Sequence, residues 1–188
     1  MVVQGNAETI RLLAEQARSG DRAAFSELVK LLMNPIVALT HKMTGSREVA
    51  LDLAQESFIS AWQNIGSFRG DAKFESWLYR IAVNKSLHHL ESAKTRSSVR
   101  FEDAGADVAA ASTPELQLTR EELRRDVLNF MLRLPEQQRA VFELRFYKQY
   151  QFDEIATITG KALGTVKTLY REAVKKLRVE ATEKGWRS

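Results

Sequence analysis

The side chains best placed to bind a ligand lie near the C-terminus, on one face of a predicted helix. Between residues 161 and 178 the chain carries six lysines and arginines against one acid, Glu172. At 100° per residue, one face of this helix collects Lys167, Thr168, Arg171, Lys175 and Arg178. Long cations contact phosphates and guanine edges, and a short hydroxyl permits close approach. The pattern favours a polyanion-binding helix, with a solvated basic face as the alternative.

The residues around this face have the spacing of a helix-turn-helix unit over 152–178. Ile155 is predicted to pack inward, Ala156 to permit close approach, and Gly160 to form the turn. Thr165 is predicted to open the second helix. The residues predicted to face the core are Leu163, Val166, Tyr170, Ala173 and Leu177. An αα-hairpin with a basic surface is the alternative, and the Ala-x₃-Gly-x₅-Val spacing favours the helix-turn-helix.

A second candidate surface is the polar face of a helix predicted over Arg47 to Asn64. This face collects Asp52, Gln55, Glu56, Ile59 and Gln63. Two carboxylates one turn apart repel each other, and a basic partner would relieve that repulsion. An ordinary solvated face is the alternative, but the apolar Ile59 among acids favours a contact surface.

A third candidate lies in 66–91, where a loop over Gly66–Asp71 precedes a helix predicted over Ala72–Glu91. One side of this helix carries Phe74, Trp77, Leu78 and Ile81, and another carries Tyr79, Val83, Leu87 and Leu90. Lys73, Arg80, Asn84 and His88 lie between them, and Phe68 in the loop need not be buried. Aromatic, basic and amide groups together suit unstacked single-stranded bases. Alternatively, Phe74 and Trp77 are simply core residues.

The elements that position these residues are predicted to be helices throughout. A helix is expected to follow the cap Asp21 and to run to about Leu32, and Thr119 with Glu122 has capping-box spacing. Pro135 suits a first helical turn. Small, polar and acidic residues over 95–118 predict a flexible linker. The prediction is therefore an all-α chain of two small helical domains, residues 1–94 and 119–188.

Composition narrows the classes of function. Of the net charge of +4, residues 119–188 contribute +5 and residues 1–94 only +1. The absence of cysteine excludes disulfides, thiolate zinc sites and a cysteine nucleophile. No apolar run of roughly 20 residues and no signal-peptide pattern is visible, so a soluble, cytoplasmic protein without membrane insertion is expected.

The small number and the spacing of the histidines disfavour a metal-dependent enzyme. The chain has three, His41, His88 and His89. The adjacent pair projects about 100° apart on a helix and makes a poor shared metal site. We therefore expect no metal, no cofactor, no small-molecule substrate and no catalytic residue, against the alternative of a helical metal-dependent hydrolase.

With these segments in order, the chain resembles a bacterial RNA polymerase sigma factor of the extracytoplasmic-function (ECF) group of the sigma-70 family. DLAQESFISAW, from Asp52, is similar to the family's polymerase-binding helix. FRGDAKFESWLYRIAVN, from Phe68, is similar to its segment that melts promoters and binds the −10 element. LPEQQRAVFELRF, from Leu134, followed by EIATITGKALGTVKTLYREAVKKLR, is similar to its −35-binding domain. A helix-turn-helix repressor or activator is the alternative, but it leaves the first two segments without a role.

The resemblance implies two partners, core RNA polymerase and promoter DNA, and an anti-sigma factor as regulator. It implies a region 2-like domain over 1–94 and a region 4-like domain over 119–188. The implied polymerase-binding residues are Asp52, Gln55, Glu56 and Ile59. The implied −10 contacts are Phe68, Arg69, Lys73, Phe74, Arg80 and Asn84, and the implied −35 contacts are Lys167, Thr168, Arg171, Lys175 and Arg178.

The last helix departs from the family pattern. Leu169, Glu172 and Val174 stand where arginine is frequent, and Thr168 replaces serine. Glu172 is expected either to turn away from the phosphates or to accept a hydrogen bond from a cytosine amine. The −35 sequence bound by this chain is therefore expected to differ from the usual one.

Overall fold

Helices make up the described parts of the chain. A computed structural model describes residues 2–98 and 120–185, with side chains described over 7–95 and 122–185. The first half contains α1 (Val2–Arg18), α2 (Arg22–Thr44), α3 (Arg47–Asn64) and α4 (Phe74–Ser98). The second contains α5 (Arg120–Arg133), α6 (Glu136–Phe142), α7 (Phe152–Thr159) and α8 (Leu163–Glu183). A 3₁₀ turn, Ile65–Ser67, follows α3, and a π-helical turn, Glu143–Tyr147, follows α6. These residues contain no strand, so the all-α prediction is confirmed.

The second helix begins as predicted but is twice as long. The Asp21 carboxylate accepts hydrogen bonds from the backbone N–H groups of Ala23 and Ala24, at 2.8 and 3.1 Å. The helix continues past Leu32 and through Pro35 to Thr44. Proline forfeits one helical hydrogen bond. The apolar stripe nevertheless continues beyond it through buried residues, whose burial offsets that loss; they are Ile36, Leu39 and Met43.

The length of α2 also corrects the expectation that no apolar stretch approaches membrane-spanning length. Among the described residues, α2 alone is long and apolar enough to cross a bilayer. Leu28, Ile36 and Leu39 are at most 1% exposed because neighbouring helices cover them. These are the properties of the central helix of a folded domain.

The next two helices locate the end of the first domain. The predicted bounds of α3 are those observed, and Ser46 Oγ caps it by accepting from Val49 N–H at 3.3 Å. In contrast, α4 runs beyond Glu91 to Ser98 and so takes the first four residues of the predicted linker 95–118. Lys94 forms a 2.5 Å ion pair with Glu136, the first residue of α6. Thr119 and residues 99–118 lie outside the described residues, so the Thr119 cap stays a prediction.

Packing brings the two halves together. In the first half, α2 contacts α1, α3 and α4, and in the second half α8 contacts α6 and α7. The second half also has a buried cluster of its own, made of Phe130, Met131, Leu134, Phe142 and Ala173. In addition, α4 contacts both α6 and α7. Both apolar sides of α4 are therefore buried, as Leu78 and Val83 show with 1% and 0% exposure.

Candidate nucleic-acid interface

The turn between α7 and α8 has helix-turn-helix geometry. Gly160 adopts φ 67°, a left-handed conformation that favours glycine, and its N–H bonds to the carbonyl of Ala156. Ile155 and Val166 are fully buried, as predicted. At the other end of α7, Glu154 Oε2 accepts from Gln151 N–H at 2.7 Å and completes a capping box.

Two details of α8 differ from the prediction. The helix begins at Leu163 rather than at Thr165, with Ala162 as the N-cap residue. Leu163 was predicted to face inward but is 43% exposed. It lies about 60° from Val166 around the helix axis, at the border of the buried stripe, so α7 does not cover it.

The five cationic and hydroxyl residues predicted on α8 share one exposed face. Lys167, Thr168, Arg171, Lys175 and Arg178 are all exposed. The Thr168 hydroxyl donates to the Gly164 carbonyl at 3.0 Å, which fixes its orientation. Lys176, in contrast, lies elsewhere on the helix and donates to Gln138 Oε1 at 3.0 Å. The basic face thus has the composition and exposure that a groove-binding helix requires.

Glu172 lies to one side of this basic face. A groove of about 360 Å³ runs between α5 and α8, and Phe130, Glu172 and Val179 are among its lining residues. Glu172 therefore flanks the basic face on the side towards α5. Lys175 of the basic face lines the same groove, so Glu172 lies beside that face and both expectations stay predictions.

The acidic face of α3 is also exposed. Asp52, Gln55 and Glu56 are open to solvent, and Ile59 is 57% exposed. Glu56 Oε2 lies 3.3 Å from Lys85 Nζ on α4, so the sequence does contain one basic partner for this face. Because the Glu56 side chain is 58% exposed, this ion pair contributes little to stability.

The aromatic loop differs most from its sequence interpretation. Phe68 was expected to need no burial, yet it is only 8% exposed, and Phe74 is 2% exposed. With Trp77 they form a cluster whose ring centroids are 5.4–5.6 Å apart. The turn Ile65–Ser67 brings Phe68 inward, since the Phe68 N–H donates to the Ile65 carbonyl at 3.0 Å. In this conformation little of either ring is open to solvent, so Phe68 and Phe74 mainly shape the loop.

The polar residues of the same segment are exposed. Arg69 and Lys73 in the loop, and Arg80 and Asn84 on α4, all face solvent. Of these, Arg69 and Lys73 line a groove between the loop and α1, with a volume of about 700 Å³. Phe68 and Phe74 also line this groove.

Sequence reasoning missed the contribution of α1 to this groove. Arg11 and Arg18 line its other side, and four carboxylates line the groove as well: Glu8, Glu15, Asp71 and Glu75. Arg11 also forms ion pairs with Glu8 and Glu15, at 2.7 and 2.6 Å. The seven-residue spacing of the two arginines places them on one helix face, which is the signal that identifies them.

These elements define a two-part helical DNA-binding protein. One part presents a helix-turn-helix with a basic face, and the other presents an acidic face and a groove lined by both cations and carboxylates. Residues 28–96 match the family model described as Sigma-70 region 2, and residues 124–177 match Sigma-70, region 4.

Curated relatives cover nearly the whole chain. The RNA polymerase sigma-H factor of Pseudomonas aeruginosa is 33% identical over 87% of this chain and 91% of its own length. The ECF RNA polymerase sigma factor SigW of Bacillus subtilis is 34% identical over 89% and 95%. The ECF RNA polymerase sigma-E factor of Escherichia coli strain K12 is 35% identical over 85% and 87%.

Solved structures have the same fold. CnrH, in complex with the cytosolic domain of CnrY, matches with a TM-score of 0.65 and 26% identity over 91% of this chain and 96% of that one. RpoE of Bartonella quintana, in complex with the anti-sigma factor NepR, matches with a TM-score of 0.64 and 21% identity over 84% and 96%.

The chain belongs to the ECF group of the sigma-70 family of RNA polymerase sigma factors. The resemblance found in the sequence is confirmed, as are two helical domains that match regions 2 and 4. It is a transcription initiation factor that directs RNA polymerase to promoters. Its family consists of regulatory initiation factors rather than catalytic enzymes.

Proposed function

We propose that the two domains divide the work of promoter recognition, with residues 1–94 binding core polymerase and the −10 element and residues 119–188 binding the −35 element. The observation that carries this assignment is the separation of two exposed faces of opposite charge. The acidic face lies on α3 in the first domain, and the basic face lies on α8 in the second. Opposite charges on separate faces suit two different partners, one basic and one a polyanion.

The proposed polymerase contacts are Asp52, Gln55, Glu56 and Ile59 on α3. All four are exposed on one side of the helix, so a partner can reach them without unfolding the domain. The exposed Ile59 supplies apolar area at the centre of a polar rim, a composition common in protein interfaces.

The proposed −10 contacts divide into two kinds. Arg69, Lys73, Arg80 and Asn84 are exposed and available to phosphates and base edges. Phe68 and Phe74 form the wall of the groove beside α1 and act by shaping the space that an unstacked base enters. Capture of such a base would offset the few kcal/mol that unstacking costs.

The proposed −35 contacts are the five exposed residues of α8: Lys167, Thr168, Arg171, Lys175 and Arg178. In this assignment the lysines and arginines contact phosphates or guanine edges in the major groove. The connection between α4 and α5 sets the reach between the two promoter elements.

An anti-sigma factor is the proposed regulator. CnrH, 26% identical to this chain, was solved with the cytosolic domain of CnrY bound to it. A protein that covers the same surfaces would block polymerase and DNA together. We also assign the chain to the cytoplasm, with no catalytic residue, cofactor or metal of its own, because its partners act there and its surfaces suit binding.

A charge reversal tests the docking assignment. The double variant Asp52→Arg with Glu56→Arg is expected to weaken binding to core polymerase about 100-fold or more, because each close charge pair at an interface contributes about 2 kcal/mol or more. The measurement is co-purification with core polymerase, followed by run-off transcription from a promoter library.

The control variant is Glu27→Arg with Glu91→Arg, which changes the net charge equally at exposed positions on α2 and α4. Loss of the Glu56–Lys85 ion pair costs under about 1 kcal/mol, so the fold survives. If the α3 variant co-purifies as well as the control, the docking assignment is wrong.

A further inference from the structure

A lysine on α4 joins the proposed −10 surface to the proposed polymerase surface. Lys85 follows Asn84 directly in the sequence, and its Nζ lies 3.3 Å from Glu56 Oε2 on α3. Glu56 belongs to the acidic face proposed to bind polymerase, whereas Asn84 is a proposed −10 contact. This ion pair therefore links two surfaces that are assigned to different partners.

The position of Lys85 on α4 places its charge at the edge of the proposed DNA surface. Arg80, Asn84 and His88 are four residues apart and exposed, so they form one stripe along the helix. Lys85 lies about 60° from His88 around the axis, on the side towards α3. Along the axis it is about 1.5 Å from Asn84. A strand that crosses Asn84 therefore passes beside Lys85.

The Lys85 side chain is able to change its partner. Its side chain is 27% exposed and that of Glu56 is 58% exposed, so the stem packs on the helices while the ion pair is open to water. Separation of such an exposed pair costs little. An ammonium on a flexible four-carbon stem can exchange a carboxylate for a phosphate oxygen without any change in the backbone.

The charges favour this exchange when a basic partner docks. In the free chain Glu56 neutralises Lys85 and adds a negative charge beside the path of the DNA. A polymerase cation at Glu56 would share that carboxylate and repel the Lys85 ammonium, and both effects favour the transfer of Lys85 to a phosphate. Because linked binding is reciprocal, the DNA would strengthen polymerase binding by the same factor.

We propose that Lys85 is a further −10 contact, which binds a phosphate of the single strand, and that Glu56 holds it away from DNA until polymerase docks. The roles of polymerase and of the −10 element rest on the proposed function. The competition between Glu56 and a phosphate for Lys85 does not, because it is measurable on the free chain.

The test on the free chain is a double-mutant cycle. Fluorescence anisotropy follows the binding of a labelled oligothymidine to chains that all carry Lys167→Ala and Arg171→Ala, so that the basic face of α8 does not dominate. Glu56→Gln is expected to raise the affinity about two- to fivefold, which corresponds to the loss of one exposed ion pair. When Lys85→Gln is also present, this increase should disappear.

Glu48→Gln provides the matched control. It removes the same charge from an exposed position of α3, eight residues before Glu56. We expect it to change the affinity less than about 1.5-fold, through long-range charge alone. The slope of log K against log salt should steepen by about 0.7 in Glu56→Gln, the value for one added phosphate contact on a single strand, and should not change in Glu48→Gln.

The holoenzyme tests whether polymerase releases the lysine. The probe is a promoter fragment from the run-off library with its −10 element single-stranded, in the presence of saturating core polymerase. Lys85→Gln is expected to weaken binding of this fragment about fivefold, against less than about twofold for the free chain. Lys30→Gln, at an exposed lysine paired with Glu27 of its own helix, should change neither.

Equal effects of Glu56→Gln and Glu48→Gln, or an increase that survives Lys85→Gln, would overturn the proposal. So would an effect of Lys85→Gln that is the same in the free chain and in the holoenzyme. Run-off transcription separates this failure from that of the proposed function. Promoter-dependent transcripts with no coupling between Glu56 and Lys85 would keep the function and refute the held contact, whereas coupling without such transcripts would do the reverse.

Discussion

Replacing Arg171 by alanine tests whether the basic face of α8 binds DNA through particular side chains or through overall charge. Arg171 is exposed near the middle of that face, about 40° around the axis from both Lys167 and Lys175. Its removal leaves the buried stripe of α8 intact, since Val166 and Ala173 keep their packing. The expected change is therefore in DNA binding and not in folding.

The size of the effect depends on which group of the DNA Arg171 binds. A guanidinium bound to a guanine edge contributes about 1–3 kcal/mol. Its removal is therefore expected to raise the dissociation constant for duplex containing a −35 element roughly 5- to 150-fold. If Arg171 instead binds a phosphate, affinity falls on every sequence and the slope of log K against log salt falls by about 1. Gel shifts at several salt concentrations, on specific and random duplex, distinguish the two.

Lys176→Ala provides the matched control. It removes one positive charge from the same helix, but this lysine lies about 140° from Arg171 and donates to Gln138 Oε1 on α6. We expect its effect on DNA affinity to be within about twofold, from long-range charge alone. Equal losses of affinity in the two variants would refute the assignment of the basic face and leave only a general electrostatic attraction.

Three other variants test the helix-turn-helix geometry and the proposed −10 contacts. Gly160→Ala forces alanine into a left-handed conformation and should lower the free energy of unfolding by about 1 kcal/mol. Gly164→Ala, on α8 with open space around it, should raise that free energy by about 0.5–1 kcal/mol; changes of the same sign in chemical denaturation would contradict this geometry. Asn84→Ala, at an exposed position, should reduce promoter melting in permanganate footprinting without weakening binding to core polymerase, and normal melting would remove Asn84 from the −10 site.

Local signals in the sequence were sufficient for several elements of the fold. Ser46 and Gly66 bracket α3, and the observed helix, Arg47–Asn64, has the predicted bounds. Gly160 was predicted to form the turn before α8, and it adopts the left-handed conformation that such a turn requires. Caps and glycines act over a few residues, so a single sequence reveals them.

Other features depend on contacts that are distant in sequence. Pro35 has the appearance of a helix boundary, yet α2 continues because burial along its whole length outweighs the missing hydrogen bond. Phe68 lies in a glycine-rich loop, where burial was not expected. Its burial depends on packing against the rings of Phe74 and Trp77, which follow it in the sequence. Local pattern carries no information about such pairings.

Local pattern also fails to predict the partners of two charged residues in the second domain, because those partners lie in the first domain. Arg139 and Glu143 are four residues apart at a helix end, where an exposed i,i+4 pair would be the ordinary expectation. Instead each binds a group of α2, the Met43 carbonyl and Lys42 respectively. These charges join the domain that carries the proposed −35 contacts to the domain that carries the proposed −10 contacts. Their partners lie 96 and 101 residues away in the sequence, and local pattern cannot reveal them.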